Sequence, residues 1–408
     1  MANNRKIFND PIYGFITIPS DFILELIEHP YFQRLRRIKQ LGLTELVYPG
    51  ATHSRFHHAL GAMYLMNQAL DVLQAKGILI MEVEREAALA AILLHDIGHN
   101  PFSHVLEYTL LDNVNHEDVS ILLIENLNSH FKGRLTLALD IFKGNYERAF
   151  FHELISSQLD VDRLDYLNRD SFYTGVVEGK IGAERIIKML HVANNHLVVE
   201  EKGILTVENY LFARRLMYWQ VYLHKTALCV ETMLNKLFER IKYVISCNQS
   251  VELPTSLDFF LRNTIDLKAL KTNKNALNHF INLDDTDIWI AIKSLQNHAD
   301  SILALLANGI LNRKLYKIQI GENLDTQELK EKLLKNKFFK ATKDSDIPYF
   351  IFEGELQQSG YETEDSNIKI LMKNNNILDF SEKSDPATVL ALSNVIKKNY
   401  LCYVQHLK

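Results

Sequence analysis

Cysteine is scarce in this 408-residue chain: Cys229, Cys247 and Cys402 lie far apart, are odd in number and form no CxxC pair. That argues against a disulfide framework and against a thiolate zinc site, and it fits a reducing compartment. A basic surplus is also lacking. Lys and Arg number 45 against 50 Asp and Glu, a net charge of -5, so nothing global points to nucleic acid; "RLRRIK" at 34–39 is a local candidate patch only. The first residues, "MANNRKIFNDPIYG", contain no signal-peptide core, and the apolar run Ala87–Leu94 is far too short to span a bilayer. The expectation is a soluble cytoplasmic protein without a membrane partner. Internal repeats and low-complexity tracts are missing too. What is present, 47% hydrophobic and 23% charged residues, is an ordinary globular mixture. Its length suits one large domain plus a smaller one, or two to three of ordinary size.

Most of the first 310 residues carry apolar spacings of three and four, which predict helices over 20–29, 31–41, 56–77, 82–98, 116–127 and 206–246. One interruption, "HVANNHLVVEEKGILTV" at 191–207, places two β-rich runs around turn residues and predicts a hairpin. Beyond residue 311 the texture changes: "KLYKIQI", "IPYFIF", "IKILMK" and "NYLCYV" read as strands, with helical patterns at 326–335 and 386–397 between them. The predicted fold is mainly α: a helical core over 1–310 with a small β-hairpin, followed by an α/β appendage over 311–408.

The chemistry concentrates in "HDIGHNPFSH" at 95–104. The apolar helix before it delivers His95 and Asp96 from a buried segment, and a buried Asp must be paired, hydrogen-bonded or metal-bound. Neighbouring side chains on a helix project about 100° apart, so both can bracket one ion. Mixed imidazole and carboxylate donors suit divalent cations. His99, four residues after His95, is expected on the same helical face, and Gly98 and Pro101 are expected to end that helix just after the ligands. His104 would open the next helix. An isolated His-Asp pair is more often a satisfied core pair, but two further segments join it. "HSRFHHALGAMYL" at 53–65 offers His57 and His58 at the start of a second helix. "LDVDRLDYLNRD" at 159–170 places Asp162, Tyr166 and Asp170 on one stripe of a third.

The series H…HD…D, with the runs "NDPIYGFI", "YFQRLRRIKQLG", "YPGATHSRFHHALG", "NHED" and "RKLYK", resembles the HD-domain deoxynucleoside triphosphate triphosphohydrolases, including the sterile-alpha-motif/HD type. The likeness is close over 5–246 and begins almost at residue 5, so no sterile-alpha-motif domain is expected ahead of it. The resemblance implies metal ligands His58 (not His57), His95, Asp96 and Asp162, with manganese, magnesium, iron or zinc as the cofactor. It implies His104 as proton donor to the leaving oxygen, with Glu107 orienting it where the family has aspartate, and His99 and His116 near the phosphates. Arg55, Arg163, Arg214 and Lys225 would contact the triphosphate; Arg163 stands where the family has lysine. Tyr166 would lie beside the sugar, Gln40 and Asp170 would read the 3'-hydroxyl, and Leu41 and Tyr222 would crowd the 2' carbon. The implied reaction is metal-assisted hydrolysis of a dNTP at the α-phosphorus to a deoxynucleoside and inorganic triphosphate.

The family's nucleotide-activated members carry an interface pocket, and the matching positions here are Lys6, Asn9, Glu28, Gln33, Arg36, Arg313 and Lys317, with Glu28 replacing an aspartate. An activating nucleotide and a homo-oligomer, a dimer of dimers or larger, are therefore expected partners. Two alternatives remain: an HD phosphohydrolase acting on another nucleotide, and a non-catalytic nucleotide sensor. The lack of a "GYP" tripeptide and of an acidic pair after His95-Asp96 counts against cyclic-dinucleotide and alarmone hydrolysis.

Overall fold

The computed structural model describes residues 6–321, 324–336, 339, 343–358, 361 and 367–405, apart from the side chains of His104, Tyr108 and Gln358. The chain opens on an antiparallel hairpin of β1 (Ile7–Asp10) and β2 (Gly14–Thr17). Asp10 closes its turn by accepting the Ile12 and Tyr13 N–H groups. Helix α1 (Asp21–Glu28), capped by Ser20, and the short α2 (Pro30–Gln33) follow. The expected helix over 31–41 stops early. Residues Arg34–Arg37 tighten into a 3-10 turn, and Lys39 then bridges Ser54 while its N–H donates to Asp285. Nor is 34–39 a basic patch. Arg34 is buried and donates to the carbonyls of Leu283 and His99, and Arg37 pairs with Asp284.

Two helices form the centre of the core: α3 (Arg55–Ala75) and α4 (Glu82–Leu94). Ser54 and His57 make a reciprocal capping box at the start of α3, which explains His57 without any ligand role. The run Ala87–Leu94 is buried on every side, so α4 is an interior helix. After α5 (Glu107–Leu110) come α6 (His116–His130, capped by Asn115), α7 (Thr136–Phe142) and α8 (Phe150–Glu153). Helix α9 (Val161–Thr174) starts at the cap Asp160, ends at Gly175 in the left-handed conformation (φ 76°), and packs along α3.

Helix α10 (Ala183–Met189) leads into the expected hairpin, β3 (Leu190–Ala193) and β4 (His196–Glu200). The predicted 206–246 helix is two: α11 (Ile204–Met217) and α12 (Lys225–Ser246). A wider turn at Tyr218–Tyr222 separates them; Tyr48 holds the Gln220 carbonyl there, and His224 caps α12. Helices α13 (Thr255–Arg262), α14 (Leu267–Thr272), α15 (Lys274–Asn282), α16 (Asp285–Ser294) and α17 (Ser301–Leu311) complete the helical part.

Beyond it, β5 (Lys317–Gly321), α18 (Thr326–Lys335), β6 (Ile351–Gln358), β7 (Lys369–Leu371), β8 (Ile377–Asp379), α19 (Phe380–Lys383), α20 (Pro386–Ser393) and β9 (Ile396–Tyr403) alternate. The expected 386–397 helix thus ends at Ser393, and its last residues begin a strand. One antiparallel sheet runs β5-β9-β6; the other runs β3-β4-β7-β8, with β7 parallel to β4. The predicted class, mainly α with small sheets, is the observed one. Among the described residues no helix is long and apolar enough to cross a membrane.

Candidate metal centre

Three elements converge on one point. His58 is on the first turn of α3, Asp162 is the second residue of α9, and His95 and Asp96 follow directly after α4. The helix stops at Leu94, four residues short of the expected 98, so His95, Asp96 and His99 lie on a turn. Gly98 explains the stop. A Cβ there would lie 2.3 Å from the Ser120 N and 2.4 Å from the His116 carbonyl oxygen, so α6 packs directly on the glycine. Ser120 Oγ donates to the His95 carbonyl (2.7 Å) and accepts from the Gly98 N–H (3.0 Å). His99 therefore leaves from this turn rather than from α4; its Nε2 lies 3.1 Å from Asp96 Oδ1, the oxygen that His95 Nε2 approaches to 3.3 Å.

The imidazole orientations are decisive. His58 Nδ1 is 2.8 Å from Asp165 Oδ2, and His95 Nδ1 is 2.7 Å from the Ile92 carbonyl. Each outer nitrogen faces an acceptor and so carries the hydrogen, which leaves each Nε2 lone pair pointing inward. The two Nε2 atoms are 3.4 Å apart, and Asp162 Oδ1 is 2.9 Å from one and 3.5 Å from the other. Nitrogens bound to one ion at the usual ~2.0–2.1 Å sit roughly 3 to 3.4 Å apart. The donor set therefore fits a divalent cation held by His58, His95 and Asp162. Asp96 lies next to it, 3.3 Å from His95 Nε2 and 3.8 Å from His58 Nε2. Asp96 also groups with His99 and His116 in a second cluster with metal-ligating spacing.

Charge follows geometry. With no cation bound, burial works against a charged His58, but hydrogen bonds to Asp162 and Asp165 outweigh it and raise its pKa to about 10, so a cation that takes the Nε2 lone pair displaces a proton there. Burial, aided by the Arg55 guanidinium, pushes His99 well below the ordinary imidazole range. Asp96 resists the effect of burial and stays well below the carboxylate range because Arg55 and His95 lie against it.

Arg55, expected at the triphosphate, pairs with Asp96 and donates to Ser103 Oγ (2.9 Å). Ser103 in turn donates to the Lys39 carbonyl (2.9 Å). Phe102 and Ser103 have positive φ of 52° and 60°, and Asp285 fastens this turn by accepting the Phe102 N–H (2.8 Å). His104 follows in the 3-10 turn Ser103–Leu106; its side chain lies outside the described residues. Glu107 Oε1 accepts both the N–H and the ring Nδ1 of His116 (2.7 Å each), and the His116 ring stacks on His99 at 3.9 Å.

Arg214 is partly buried, and its Nε and Nη1 have no hydrogen-bond partner; Tyr166, Tyr210 and Tyr218 surround it. Arg163 is instead tied to Asp160 and the Ser157 carbonyl. Asp170 accepts from Tyr222 OH (2.8 Å) and lies 2.7 Å from His53 Nε2. The buried Gln40 Oε1 has no partner, Leu41 is partly buried, Tyr166 lies beside His58, and Lys225 is exposed at the start of α12.

Among the regulatory candidates, Gln33 accepts from Arg36 (2.8 Å), which also covers the Phe56 ring at 3.6 Å. Arg313 donates to the Leu46 carbonyl (2.7 Å), and Lys317 starts β5. Lys6 is exposed, Asn9 is on β1, and Glu28 ends α1. Sequence reasoning missed Asp165, Arg169, Asp10, Ser103, Ser120 and Asp285. The i, i+4 spacing of Asp165 and Arg169 was a visible signal; the others depend on contacts between segments distant in the chain.

A model of the HD domain matches residues 55–170, and one of the HD associated region matches 181–250. The chain is 31% identical to the uncharacterized protein YwfO of Bacillus subtilis, over 98% of this chain and 92% of that one. It is 29% identical to a Dictyostelium discoideum protein named as a deoxynucleoside triphosphate triphosphohydrolase SAMHD1 homolog, over 76% and 66% of the two chains. The crystal structure of a phosphohydrolase from Bacteroides thetaiotaomicron VPI-5482 superposes with a TM-score of 0.93 at 48% identity, covering 98% of this chain and 99% of that one.

Proposed function

Because the chain belongs to the HD-domain phosphohydrolase family, we propose that it hydrolyses deoxynucleoside triphosphates at the α-phosphorus, releasing a deoxynucleoside and inorganic triphosphate. The observation that carries this reading is the pair of inward Nε2 atoms of His58 and His95 beside Asp162, with Tyr166 between His58 and the unpartnered guanidinium nitrogens of Arg214. A divalent cation at His58, His95, Asp96 and Asp162 would supply positive charge for the α-phosphate oxygens and a polarised water.

The chain's own groups account for the rest. Arg214 gives a cation already desolvated and without a protein acceptor, suited to a triphosphate, with Arg55, Arg163 and Lys225 beside it in this reading. His104, set by the strained Phe102-Ser103 turn, gives its proton to the departing 5'-oxygen. His99 and His116 face the phosphates, and Glu107, which accepts from His116, orients His104 in this reading. Gln40, with its free Oε1, and Asp170 take the 3'-hydroxyl; Leu41 and Tyr222 exclude a 2'-hydroxyl; Tyr166 lies along the sugar. The chemistry belongs to residues 1–310, in a cytoplasmic homo-oligomer activated by nucleotide bound at Lys6, Asn9, Glu28, Gln33, Arg36, Arg313 and Lys317.

The test is incubation of metal-free protein with each dNTP, singly and mixed, with Mn2+ or Mg2+ added back and products resolved by ion exchange. Deoxynucleoside plus triphosphate, lost in Asp162→Ala and His104→Ala, is the expected outcome. Monophosphate plus pyrophosphate would move the cleaved bond. No turnover with any mixture would favour a nucleotide sensor. Activation of one dNTP's hydrolysis by another is expected, and hyperbolic kinetics for every mixture would remove the regulatory part.

A further inference from the structure

Behind the metal-facing His58, buried charges run to the N-terminal hairpin. His58 Nδ1 meets Asp165 Oδ2 at 2.8 Å. Arg169 grips both oxygens of that carboxylate, Nε to Oδ2 and Nη2 to Oδ1 at 2.9 Å each. Its third nitrogen, Nη1, reaches Asp10 Oδ2 at 2.8 Å. Asp10 uses its other oxygen to close the β1-β2 turn through the Ile12 and Tyr13 N–H groups. His58, Asp165 and Arg169 are fully buried, and Asp10 is 8% exposed.

Such a chain is a poor device for stability alone, because apolar residues of similar volume would fill the space at less desolvation cost. The fold nevertheless makes room for it. A Cβ on Gly61 of α3 would fall 2.0 Å from Asp165 Oδ1 and 2.2 Å from Arg169 Nη2, so α3 carries no side chain where the ion pair sits. The partner of a ligating histidine's outer nitrogen fixes its tautomer and raises its basicity. Asp165 does this for His58 only while it remains an oriented carboxylate. Arg169 fixes that orientation with two bonds, and Asp10 fixes Arg169.

We propose that Asp10, in the N-terminal hairpin, is a positioning residue of the metal centre, acting through Arg169 and Asp165 on His58. This rests on the reading of His58 as a metal ligand. It makes β1, which also carries Asn9, the element whose placement sets cation affinity, and so a route by which a ligand at the hairpin would reach the active site.

The experiment measures Mn2+ binding to the full-length protein by calorimetry and by paramagnetic resonance of the free ion. Asp10→Asn keeps an oxygen for the Ile12 and Tyr13 N–H groups but removes the charge facing Arg169. Its Mn2+ Kd is expected to rise about 10- to 100-fold, the range for partners of metal ligands. Arg169→Lys, which keeps the cation but cannot span both carboxylates, is expected to weaken binding in the same direction and serves if Asp10→Asn does not fold. Glu84→Gln breaks another buried ion pair, with Arg148, that none of these contacts joins to the cluster. It is expected to lower Tm and leave the Kd unchanged. Wild-type Kd in folded Asp10→Asn or Arg169→Lys, with weakened binding in Asp165→Asn, would end the chain at Asp165 and overturn the proposal. An equal loss of affinity in Glu84→Gln would reduce it to general destabilisation. No Mn2+ binding by wild type would overturn the metal reading as well.

Discussion

Replacing Gly98 by alanine tests whether the packing of α6 sets the active site. The new Cβ would lie 2.3 Å from the Ser120 N and 2.4 Å from the His116 carbonyl oxygen, where ordinary contact begins near 3.4 Å. Both neighbours are backbone atoms of the first turns of α6, so no side-chain rotation relieves the clash. The helix must retreat from the His95-Asp96 turn by about 1 Å. Ser120 then loses its hold on the His95 carbonyl, and His116 leaves its stack on His99. Overpacking of this kind costs about 1–3 kcal/mol of stability. A misplacement of about 1 Å near reacting groups costs on the order of 10²-fold in rate, or about 2.7 kcal/mol of barrier. The assay is release of inorganic triphosphate from dNTP mixtures with saturating Mn2+, alongside a thermal melt. The expectation is kcat down about 100-fold with a melt lower by a few degrees. A variant within twofold of wild-type kcat and with an unchanged melt would refute the reasoning that α6 is held in contact with the glycine.

Two further outcomes follow from single side chains. Arg214→Gln removes buried donors that lack acceptors, so its Tm should match or exceed wild type while turnover falls about 100-fold or more; a lowered Tm with retained turnover would make Arg214 structural. Burial pushes Asp285 up to about 7, against the bonds it accepts from the Lys39 and Phe102 N–H groups, whereas its ordinary value is 3.8. The folded state thus binds this proton more tightly than the unfolded chain. The stability it contributes is full below 3.8 and is lost as pH rises through about 7. Melts at several pH values should show the Tm gap between wild type and Asp285→Asn shrinking from pH 4 to 7, and a constant gap would contradict this.

The residues that converge as a candidate metal centre were legible because local patterns carry them: an apolar helix ending in His95-Asp96, paired histidines opening α3, and acidic residues spaced along α9. What could not be read was where those helices stop. Nothing near residue 95 announces that Gly98 is pressed against α6, so the apolar period runs on to 98 although the helix ends at Leu94. The 31–41 pattern is helical in period, yet Asp285, some 246 residues further on, takes the Lys39 N–H and breaks it. Tyr48 and His224 likewise interrupt the long 206–246 pattern. The hairpin at 190–200 was visible, but its parallel partner β7 lies about 170 residues later and left no local trace. The same holds for Asp10: it closes a turn in its own segment, and its bond to Arg169 spans 159 residues.

The most direct test of the central claim is hydrolysis of a dNTP in ¹⁸O-labelled water with Mn2+-loaded enzyme, followed by mass spectrometry of both products. Attack at the α-phosphorus with departure of the 5'-oxygen predicts one ¹⁸O in the inorganic triphosphate and none in the deoxynucleoside. Label in released orthophosphate or in a nucleoside monophosphate, or no labelled product with any dNTP mixture, would contradict it.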